Sequence, residues 1–202
     1  LSGNSLTISS CENKAESKVI ASGNYAGGIV GRIGTNEKEN KVVLQNCVNK
    51  GEITGVTYVG GITGGIASAP TDSGSNELTI KDCKNAGSLN ATQYAGGVIG
   101  VIPKYTNGKI VSCEDSGEIK IEKYRAGGIV GSVEPTRNTT GGDILIDLCV
   151  NSGNVTSTTG AWLGGIVGMH GSYVYVRGCK NTGDITGVGS GNYGIGGISG
   201  ST

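Results

Sequence analysis

Gly127-Gly128-Ile129-Val130-Gly131 is one of six copies of a short block, Gly-Gly-Ile/Val-x-Gly, that decides the fold. The copies begin at Gly27, Gly60, Gly96, Gly127, Gly164 and Gly196. Each copy follows one cysteine by about half a repeat, and the cysteines are Cys11, Cys47, Cys83, Cys113, Cys149 and Cys179, spaced 36, 36, 30, 36 and 30 residues apart. A fixed-phase period of about 20–50 residues is typical of a solenoid, a propeller or another repeat array.

The composition favours closely stacked strands over a compact globule. Glycine accounts for 39 of the 202 residues, phenylalanine is absent, and aromatic residues make up 4% of the chain. The apolar residues are mainly Ile, Val, Leu, Ala and Cys, which suit stacked strands. The net charge is zero, with 16 acidic and 16 basic residues, so the sequence lacks the basic footprint of a nucleic-acid binder. No apolar run reaches the roughly 20 residues that span a bilayer.

Each repeat contains three strand-like pieces separated by turn residues. The first piece precedes the cysteine and alternates apolar and polar residues, as in Val42-Val43-Leu44. Asn or Asp follows two places after each cysteine: Asn13, Asn49, Asn85, Asp115, Asn151 and Asn181. Gly stands four places after five of the six cysteines. Because Asn, Asp and Gly accept a left-handed backbone at low cost, we expect the same left-handed corner in each repeat.

The second and third pieces complete the repeat. The second is centred on one apolar residue, as at Ile53 and Leu89, and an aromatic residue follows it near a bend. The aromatic positions are Tyr25, Tyr58, Tyr94, Tyr124, Trp162 and Tyr193, with a phase slip of one residue in two copies. The third piece is the Gly-Gly block, in which Ile or Val enters the core. The glycine two places later leaves a gap on the same face, which predicts a close approach there.

These patterns predict an all-β fold, a parallel β-helix (β-solenoid) of six turns of 30–36 residues with three strands per turn. We expect residues 1–202 to form a single solenoid domain and to be a fragment of a longer surface protein. The expected repeats cover about 5–34, 41–66, 77–102, 108–133, 143–170 and 173–200. A propeller is the main rival, but a blade needs four strands and about 40 residues or more. Like residues should then stack into an Ile/Val/Leu ladder, a Cys ladder and an Asn ladder.

The Gly-Gly-Ile-x-Gly block with its preceding Cys-x-Asn-x-Gly resembles the GLUG-type repeat. That repeat occurs in secreted bacterial surface proteins, including adhesins and the non-catalytic region of immunoglobulin-A-cleaving metalloproteases. The resemblance covers about residues 5–200 and implies a parallel β-helix at the bacterial surface. It brings no catalytic residues to this chain, since the protease motif His-Glu-x-x-His needs two histidines and His170 is the sole histidine here.

Three interpretations of the cysteines stay open at this stage. One cysteine per turn at one phase predicts a structural ladder of buried free thiols, in which each thiol behaves as a small hydrophobe. One or more disulfides is the second interpretation, because stacked Cα atoms about 4.8 Å apart fall within bridging distance. Metal binding is the third, and it is disfavoured because the sequence contains no Cys-x-x-Cys pair. We therefore expect no metal and no cofactor.

The Asn column and Trp162 each have a structural and a functional interpretation. Stacked side-chain amides hydrogen-bond along a solenoid axis, and Asp115 can join such a ladder as an acceptor. The functional alternative is a comb that binds glycans or ions. Trp162 replaces the usual tyrosine and is our candidate ligand contact, because an exposed ring there would stack on a sugar. Burial at the corner is the structural alternative for Trp162.

The sequence predicts a non-catalytic repeat segment of a secreted or cell-surface bacterial protein, an adhesive or spacer rod. Variable connections between repeats fall at one phase, so they project from one edge, and any binding is expected there. The expected partner is a host or bacterial surface glycan or protein, without nucleic acid or membrane insertion, and with end-to-end self-association of the rods. The alternative is a carbohydrate-active β-helix enzyme, a polysaccharide lyase or hydrolase, for which the acids to test are Asp115, Glu118 and Asp147.

Overall fold

The computed structural model describes residues 4–34, 39–69, 75–134, 143–171, 173–188 and 194–201. This part of the chain is all-β and winds into a parallel β-solenoid of six turns. Each turn adds one strand to each of five six-stranded sheets, which we number 1 to 5 in the order that the chain visits them. The described residues include no helix, and hence none of the length and apolarity that would cross a bilayer.

Sheets 1 and 2 flank the cysteine. Sheet 1 is formed by Asn4–Ser9, Asn40–Gln45, Asn76–Lys81, Thr106–Val111, Ile144–Asp147 and Val174–Arg177. Sheet 2 is formed by Glu12–Asn13, Val48–Asn49, Lys84–Asn85, Glu114–Asp115, Val150–Asn151 and Lys180–Asn181. The alternation of sheet 1 places residues such as Val42 and Leu44 in the core while Lys41 faces solvent.

Sheets 3, 4 and 5 form the rest of each turn. Sheet 3 comprises Lys18–Ile20, Glu52–Gly55, Leu89–Ala91, Ile119–Ile121, Val155–Ser157 and Ile185–Gly187. Sheet 4 comprises Tyr25–Gly27, Tyr58–Gly60, Tyr94–Gly96, Tyr124–Gly127, Ala161–Gly164 and Ile195–Gly196. Sheet 5 comprises Val30–Ile33, Thr63–Ile66, Ile99–Ile102, Val130–Val133, Val167–Met169 and Ser199–Ser201.

The predicted six-turn solenoid is confirmed, but each turn has five strands rather than three. The two additional strands lie where the sequence predicted a turn after the cysteine and a bend at the aromatic residue. Both are very short: the sheet 2 strands have two residues each and the sheet 4 strands have two to four. They count as strands because their backbones pair with the turns above and below, a property that alternation within two or three residues cannot reveal.

The predicted left-handed corner is present in every turn, but it lies at a different residue from the ones predicted. The residue with a positive φ is the one immediately before each cysteine: Ser10 (53°), Asn46 (53°), Asp82 (52°), Ser112 (51°), Leu148 (53°) and Gly178 (61°). The Asn or Asp two places after the cysteine and the Gly four places after it are not in this conformation. Their recurrence has other causes, which are side-chain stacking for Asn and close approach of backbones for Gly.

Two apolar columns fill the interior. The larger packs sheet 1 and the cysteines against sheet 5, with Leu44, Ile62 and Ile66 among its fully buried residues. The smaller packs sheet 3 against sheet 4, with Ile53 and Val59 at its centre. The two columns meet at the third glycine of each block: a Cβ on Gly64 would be too close to the backbones of Gly31, Ala26 and Tyr58. This glycine therefore allows sheets 4 and 5 to approach within a narrow turn.

Candidate functional site

The Asn column forms a hydrogen-bonded ladder along the solenoid axis. Each amide Nδ2 donates to the Oδ1 of the next turn, at 2.8 Å from Asn13 to Asn49, 2.7 Å from Asn49 to Asn85 and 2.8 Å from Asn151 to Asn181. The other proton of Nδ2 goes to the carbonyl oxygen two residues further on, as from Asn85 to Gly87 at 2.9 Å. Buried amides are thus satisfied in both directions, and the ladder has one direction throughout.

In the first five turns, the second glycine of the Gly-Gly pair packs against a side chain of this ladder. A Cβ at Gly28, Gly61, Gly97, Gly128 or Gly165 would overlap the side chain of Asn49, Asn85, Asp115, Asn151 or Asn181, respectively. The same Cβ would also overlap a glycine carbonyl oxygen of the next turn, as Gly128 would with Gly165. The Gly-Gly block and the Cys-x-Asn motif are therefore two halves of one contact. Neither half admits a larger residue without displacing the other.

Asp115 interrupts the ladder. Its Oδ1 accepts from Asn85 Nδ2 at 2.7 Å and from the Gly117 amide at 3.4 Å, as the Oδ1 of an asparagine would. Its Oδ2 occupies the place of the amide nitrogen and has no hydrogen-bond partner, although the residue is only 1% exposed. Burial raises the pKa of this carboxyl to about 8, and the hydrogen bonds from Asn85 and Gly117 oppose that rise only in part.

The cysteines stack as free thiols. Four of them (Cys47, Cys83, Cys113 and Cys149) are buried, Cys179 is half-buried and Cys11 is exposed. Each Sγ after the first turn donates to a sheet 1 carbonyl oxygen of the turn before, as from Cys83 to Leu44 at 3.7 Å and from Cys149 to Ile110 at 3.6 Å. The pKa of Cys113 is raised, because hydrogen bonds with the Cys149 and Cys83 thiols and burial all favour the protonated thiol.

The aromatic column continues from turn to turn through an arginine. The ring centroids are 5.0 Å apart for Tyr25 and Tyr58 and 5.1 Å apart for Tyr58 and Tyr94. In the next turn the residue that pairs with Tyr94 is Arg125, not Tyr124. The Arg125 guanidinium lies 5.4 Å from the Tyr94 ring and 5.7 Å from the Trp162 ring. Tyr124 still stacks on Tyr94, with ring centroids 5.7 Å apart, so the phase slip in the sequence adds a guanidinium to the column of rings.

Arg125 is also held by polar groups. Its Nη1 donates to Ser132 Oγ at 2.8 Å and to Glu134 Oε1 at 3.2 Å. Trp162 is half-buried against this guanidinium, so the structure places our candidate ligand contact within the column. A role for Trp162 in binding stays a prediction. Tyr193, the last predicted member of the column, lies outside the described residues.

Sequence reasoning missed a second, shorter amide ladder at the start of sheet 1. Asn40 Nδ2 donates to Asn76 Oδ1 at 3.0 Å, and Asn76 Nδ2 donates to the Ala67 carbonyl at 2.8 Å. Both asparagines are buried, and both stand two residues before the first inward apolar residue of their strand. Thr106 stands at the same position in the next turn. A polar residue repeated at this one position of the repeat is the sequence pattern that would have identified the second ladder.

The outer face of sheet 1 carries a groove of about 420 Å³ beside the edge from which the variable connections leave. Glu77, Thr79, Lys109 and Asp143 line the groove, together with Gly108, whose own Cβ position faces the core beside Ile144 and Leu78. Most of the variable connections themselves (residues 35–38, 70–74, 135–142 and 172) lie outside the described residues. Among the residues that are described, His, Cys, Asp and Glu form no group of three suited to a metal ion.

The three acids considered for catalysis lie in separate environments. Asp115 is buried in the ladder, Glu118 pairs with Lys120 at 2.8 Å, and Asp147 accepts from Arg177 at 2.8 and 3.0 Å. Each carboxyl group thus has a structural contact in its own column. The structure gives no indication that these three act on one substrate.

Comparison of the sequence with protein-family models and with curated proteins finds no match. The structure is similar to the crystal structure of a protein from Bacteroides ovatus that is described as a "putative immunoglobulin A1 protease". The two share 18% sequence identity with a TM-score of 0.57, over 91% of this chain and 66% of that one. At this identity the similarity shows a shared solenoid fold. The chain spans just under two thirds of that protein's length.

Proposed function

We propose that this chain is a non-catalytic repeat rod of a secreted or cell-surface bacterial protein, with an adhesive or spacer role. The observation that carries the proposal is the register: all five sheets run through all six turns, and each strand pairs with its counterpart one turn away. Each turn then contacts only its neighbours, so length grows with the number of turns while the cross-section stays constant. A spacer needs this property, and an extended lateral surface follows from it.

Membership of the GLUG-type repeats and a location at the cell surface belong to the same proposal. The repeated Cys-x-Asn-x-Gly and Gly-Gly-Ile-x-Gly motifs support it, because the structure joins them in one contact in each of five turns. The similarity to the Bacteroides ovatus protein supports a bacterial solenoid. It concerns the fold, so the substrate in that protein's description is not assigned to this chain.

For the adhesive role we propose the sheet 1 groove as the binding surface, with a surface glycan or protein as partner. Its lining carries both charges, from Lys109 and from Asp143 and Glu77. The experiment is to screen the chain on glycan and extracellular-matrix arrays, and then to compare Lys109→Ala/Asp143→Ala with the control Lys120→Ala, which changes the outer face of sheet 3. Loss of binding in the groove variant alone is expected, and equal binding by all three proteins would overturn the assignment.

The alternative, a carbohydrate-active enzyme, makes a different prediction at the same groove. Such an enzyme needs two acids about 5–9 Å apart across the scissile bond, and the groove offers Glu77 and Asp143. Glu77 already pairs with Lys41 at 3.0 Å, which favours the structural interpretation. Polysaccharide cleavage that is lost in Glu77→Gln/Asp143→Asn would overturn the non-catalytic proposal. Absence of cleavage together with glycan binding is the expected result.

End-to-end self-association of the rods is also part of the proposal. The regularity of the amide ladder supports it, since Asn181 in the sixth turn accepts from Asn151 and donates to the Gly183 carbonyl as the asparagines of earlier turns do. Light scattering over a range of concentrations is the test. A mass that rises with concentration is expected, and a strictly constant monomer mass would contradict association.

A further inference from the structure

The ladder requires a donor at one atom of each residue. In Asn49, Asn85 and Asn151 this atom is Nδ2, which donates one proton to the carbonyl of the glycine two residues on and the other to the side chain of the next turn. Both recipients are oxygen acceptors. A residue that replaces asparagine in the ladder must therefore present a proton at the position of Nδ2. Without that proton, a buried oxygen atom would face other oxygen acceptors and no hydrogen bond could form between them.

Asp115 does not bring such a proton in its ionised form. The carboxylate has only acceptor sites, and its Oδ2 is the buried atom without a partner. By register the next residue in the ladder is Asn151, whose Oδ1 accepts from the Gly153 amide at 3.2 Å and lacks the side-chain donor that Asn49 receives from Asn13. Protonation of Oδ2 supplies the missing donor and removes the charge at the same time.

The surroundings of Asp115 offer no counter-charge among the residues that the structure describes. On its own strand the neighbour Glu114 faces outward and pairs with Lys84 of the adjacent strand at 2.9 Å, with both side chains 54% exposed. Lys50, further along the same outer surface, pairs with Glu12 at 2.8 Å. The other packing partners, Asn85, Asn151 and Gly97, are uncharged, and Cys113, two residues before Asp115, is a buried thiol that brings no positive charge. Without a cation at hand, the neutral acid is the stable form of this buried group.

We propose that Asp115 is a proton-binding site that locks the joint between the fourth and fifth turns. The bound proton lies on Oδ2, completes the amide ladder toward Asn151, and keeps the column uncharged. Loss of this proton places a negative charge against oxygen acceptors, so the ladder separates there first. Among the ladder residues that the structure describes, Asp115 is the one carboxyl group, and the others carry amides that do not titrate.

The sign of the pH dependence follows from linkage. An unfolded aspartic acid ionises with a pKa of about 3.9, whereas burial raises the pKa of folded Asp115 to about 8. Between those values the folded protein binds the extra proton, so stability is greatest below the lower value, falls as the pH rises, and levels off above the higher value. Within this window the unfolding constant should rise by up to about tenfold per pH unit.

The matched variant is Asp115→Asn, which restores the amide of the other turns and removes the titration. We would measure denaturant unfolding of both proteins from pH 5 to pH 8. In the ratio of their unfolding constants, the contributions of the other titrating groups to the pH dependence cancel, because both proteins contain those groups. It should change by about tenfold per pH unit in the middle of this range. In a third protein, Asp115→Asn/Asn85→Asp, the acid moves one turn along the ladder and the same dependence should return.

A direct measurement keeps the proposal testable if a variant fails to fold. Carbon-13 labelling of the six aspartates of the native chain allows each carboxyl to be titrated by NMR. One neutral carboxyl at pH 6, lost in Asp115→Asn where that variant folds, is the expected result. Backbone amide exchange at Ser152 and Gly153 should also quicken more than elsewhere when the pH passes 8. Ionisation of all six carboxyls below pH 5, or a pH-independent ratio of unfolding constants, would overturn the proposal.

Discussion

Replacement of the second glycine of a Gly-Gly pair tests whether the two sequence motifs form one contact. In Gly128→Ala the new methyl group overlaps the Asn151 side chain and the Gly165 carbonyl oxygen. Gly197 occupies the same motif position in the sixth turn, where a Cβ would meet no atom within 4 Å. The variants Gly128→Ala and Gly197→Ala therefore make the same chemical change at the same point of the repeat, and they differ in the ladder side chain and the glycine carbonyl that only Gly128 faces.

The magnitude follows from what must move. Ordinary van der Waals contact requires Asn151 and Gly165 to withdraw by about 1 Å. That shift strains the hydrogen bonds of Asn151 to Asn181 (2.8 Å) and Gly153 (2.9 Å). Overpacking costs about 1–3 kcal/mol, and each buried group left unpaired costs about 1–3 kcal/mol. Alanine also makes the unfolded chain stiffer than glycine does, which stabilises the folded protein by about 0.4–1 kcal/mol, less than these losses. We expect Gly128→Ala to lose about 4 kcal/mol of unfolding free energy.

Equilibrium urea unfolding at pH 7, followed by circular dichroism, is the assay. Gly197→Ala should unfold within about 1 kcal/mol of the parent, on the stable side, because only the effect on the unfolded chain applies. A difference below about 1 kcal/mol between the two variants would refute the assignment of the second glycine to the ladder contact. Equal and large losses in both variants would refute it as well, since they would point to a backbone requirement of the motif itself.

The remaining predictions concern single positions in the other columns. Leu148→Gly should stabilise the protein by about 1 kcal/mol in thermal unfolding, because Leu148 has a left-handed backbone (φ 53°) and its side chain is 57% exposed; a loss of stability would contradict this. Asn85→Leu should cost about 3 kcal/mol, because two buried ladder bonds disappear, whereas Asn13→Leu in the half-buried first turn should cost clearly less. Arg125→Ala should lower the unfolding free energy by about 1–2 kcal/mol and Arg125→Tyr by less, since tyrosine restores a ring between two rings. A thiol reagent on the native protein should modify Cys11 rapidly and the four buried thiols only on unfolding, so Cys11→Ser should remove the fast phase.

The sequence was sufficient for the architecture because the evidence for each column is repeated six times. A single Gly-Gly-Ile or Cys-x-Asn has many interpretations, but copies at one phase must occupy equivalent positions in stacked turns. For this reason the turn number, the parallel pairing and the inward alternation of residues such as Val42 and Leu44 could be predicted. The ladder partners followed from the same argument, whereas the atom-to-atom direction of the amides required coordinates.

The features that could not be predicted share a physical cause: equivalent positions filled by chemically different residues. The left-handed position is occupied by Ser10, Asn46, Asp82 and Leu148 in different turns, so only the backbone angle is common to them. Arg125 continues a column of rings without being aromatic. In the sequence, its only mark is that the aromatic residue of this turn is displaced by one position, which resembled a local irregularity. The two-residue strands of sheet 2 are likewise defined by pairing with other turns and not by any internal pattern.

The one-turn register has a consequence for heredity. Every strand pairs with its counterpart 30 to 37 residues away, and the third and fourth turns, whose cysteines are 30 residues apart, are joined without loss of pairing in any sheet. Recombination between two copies of the Gly-Gly block therefore removes or adds whole turns while it leaves every remaining contact intact. We expect alleles of this gene to differ in length by complete repeats, with breakpoints in phase, so that the length of the rod becomes a trait that selection adjusts by about 4.8 Å per turn.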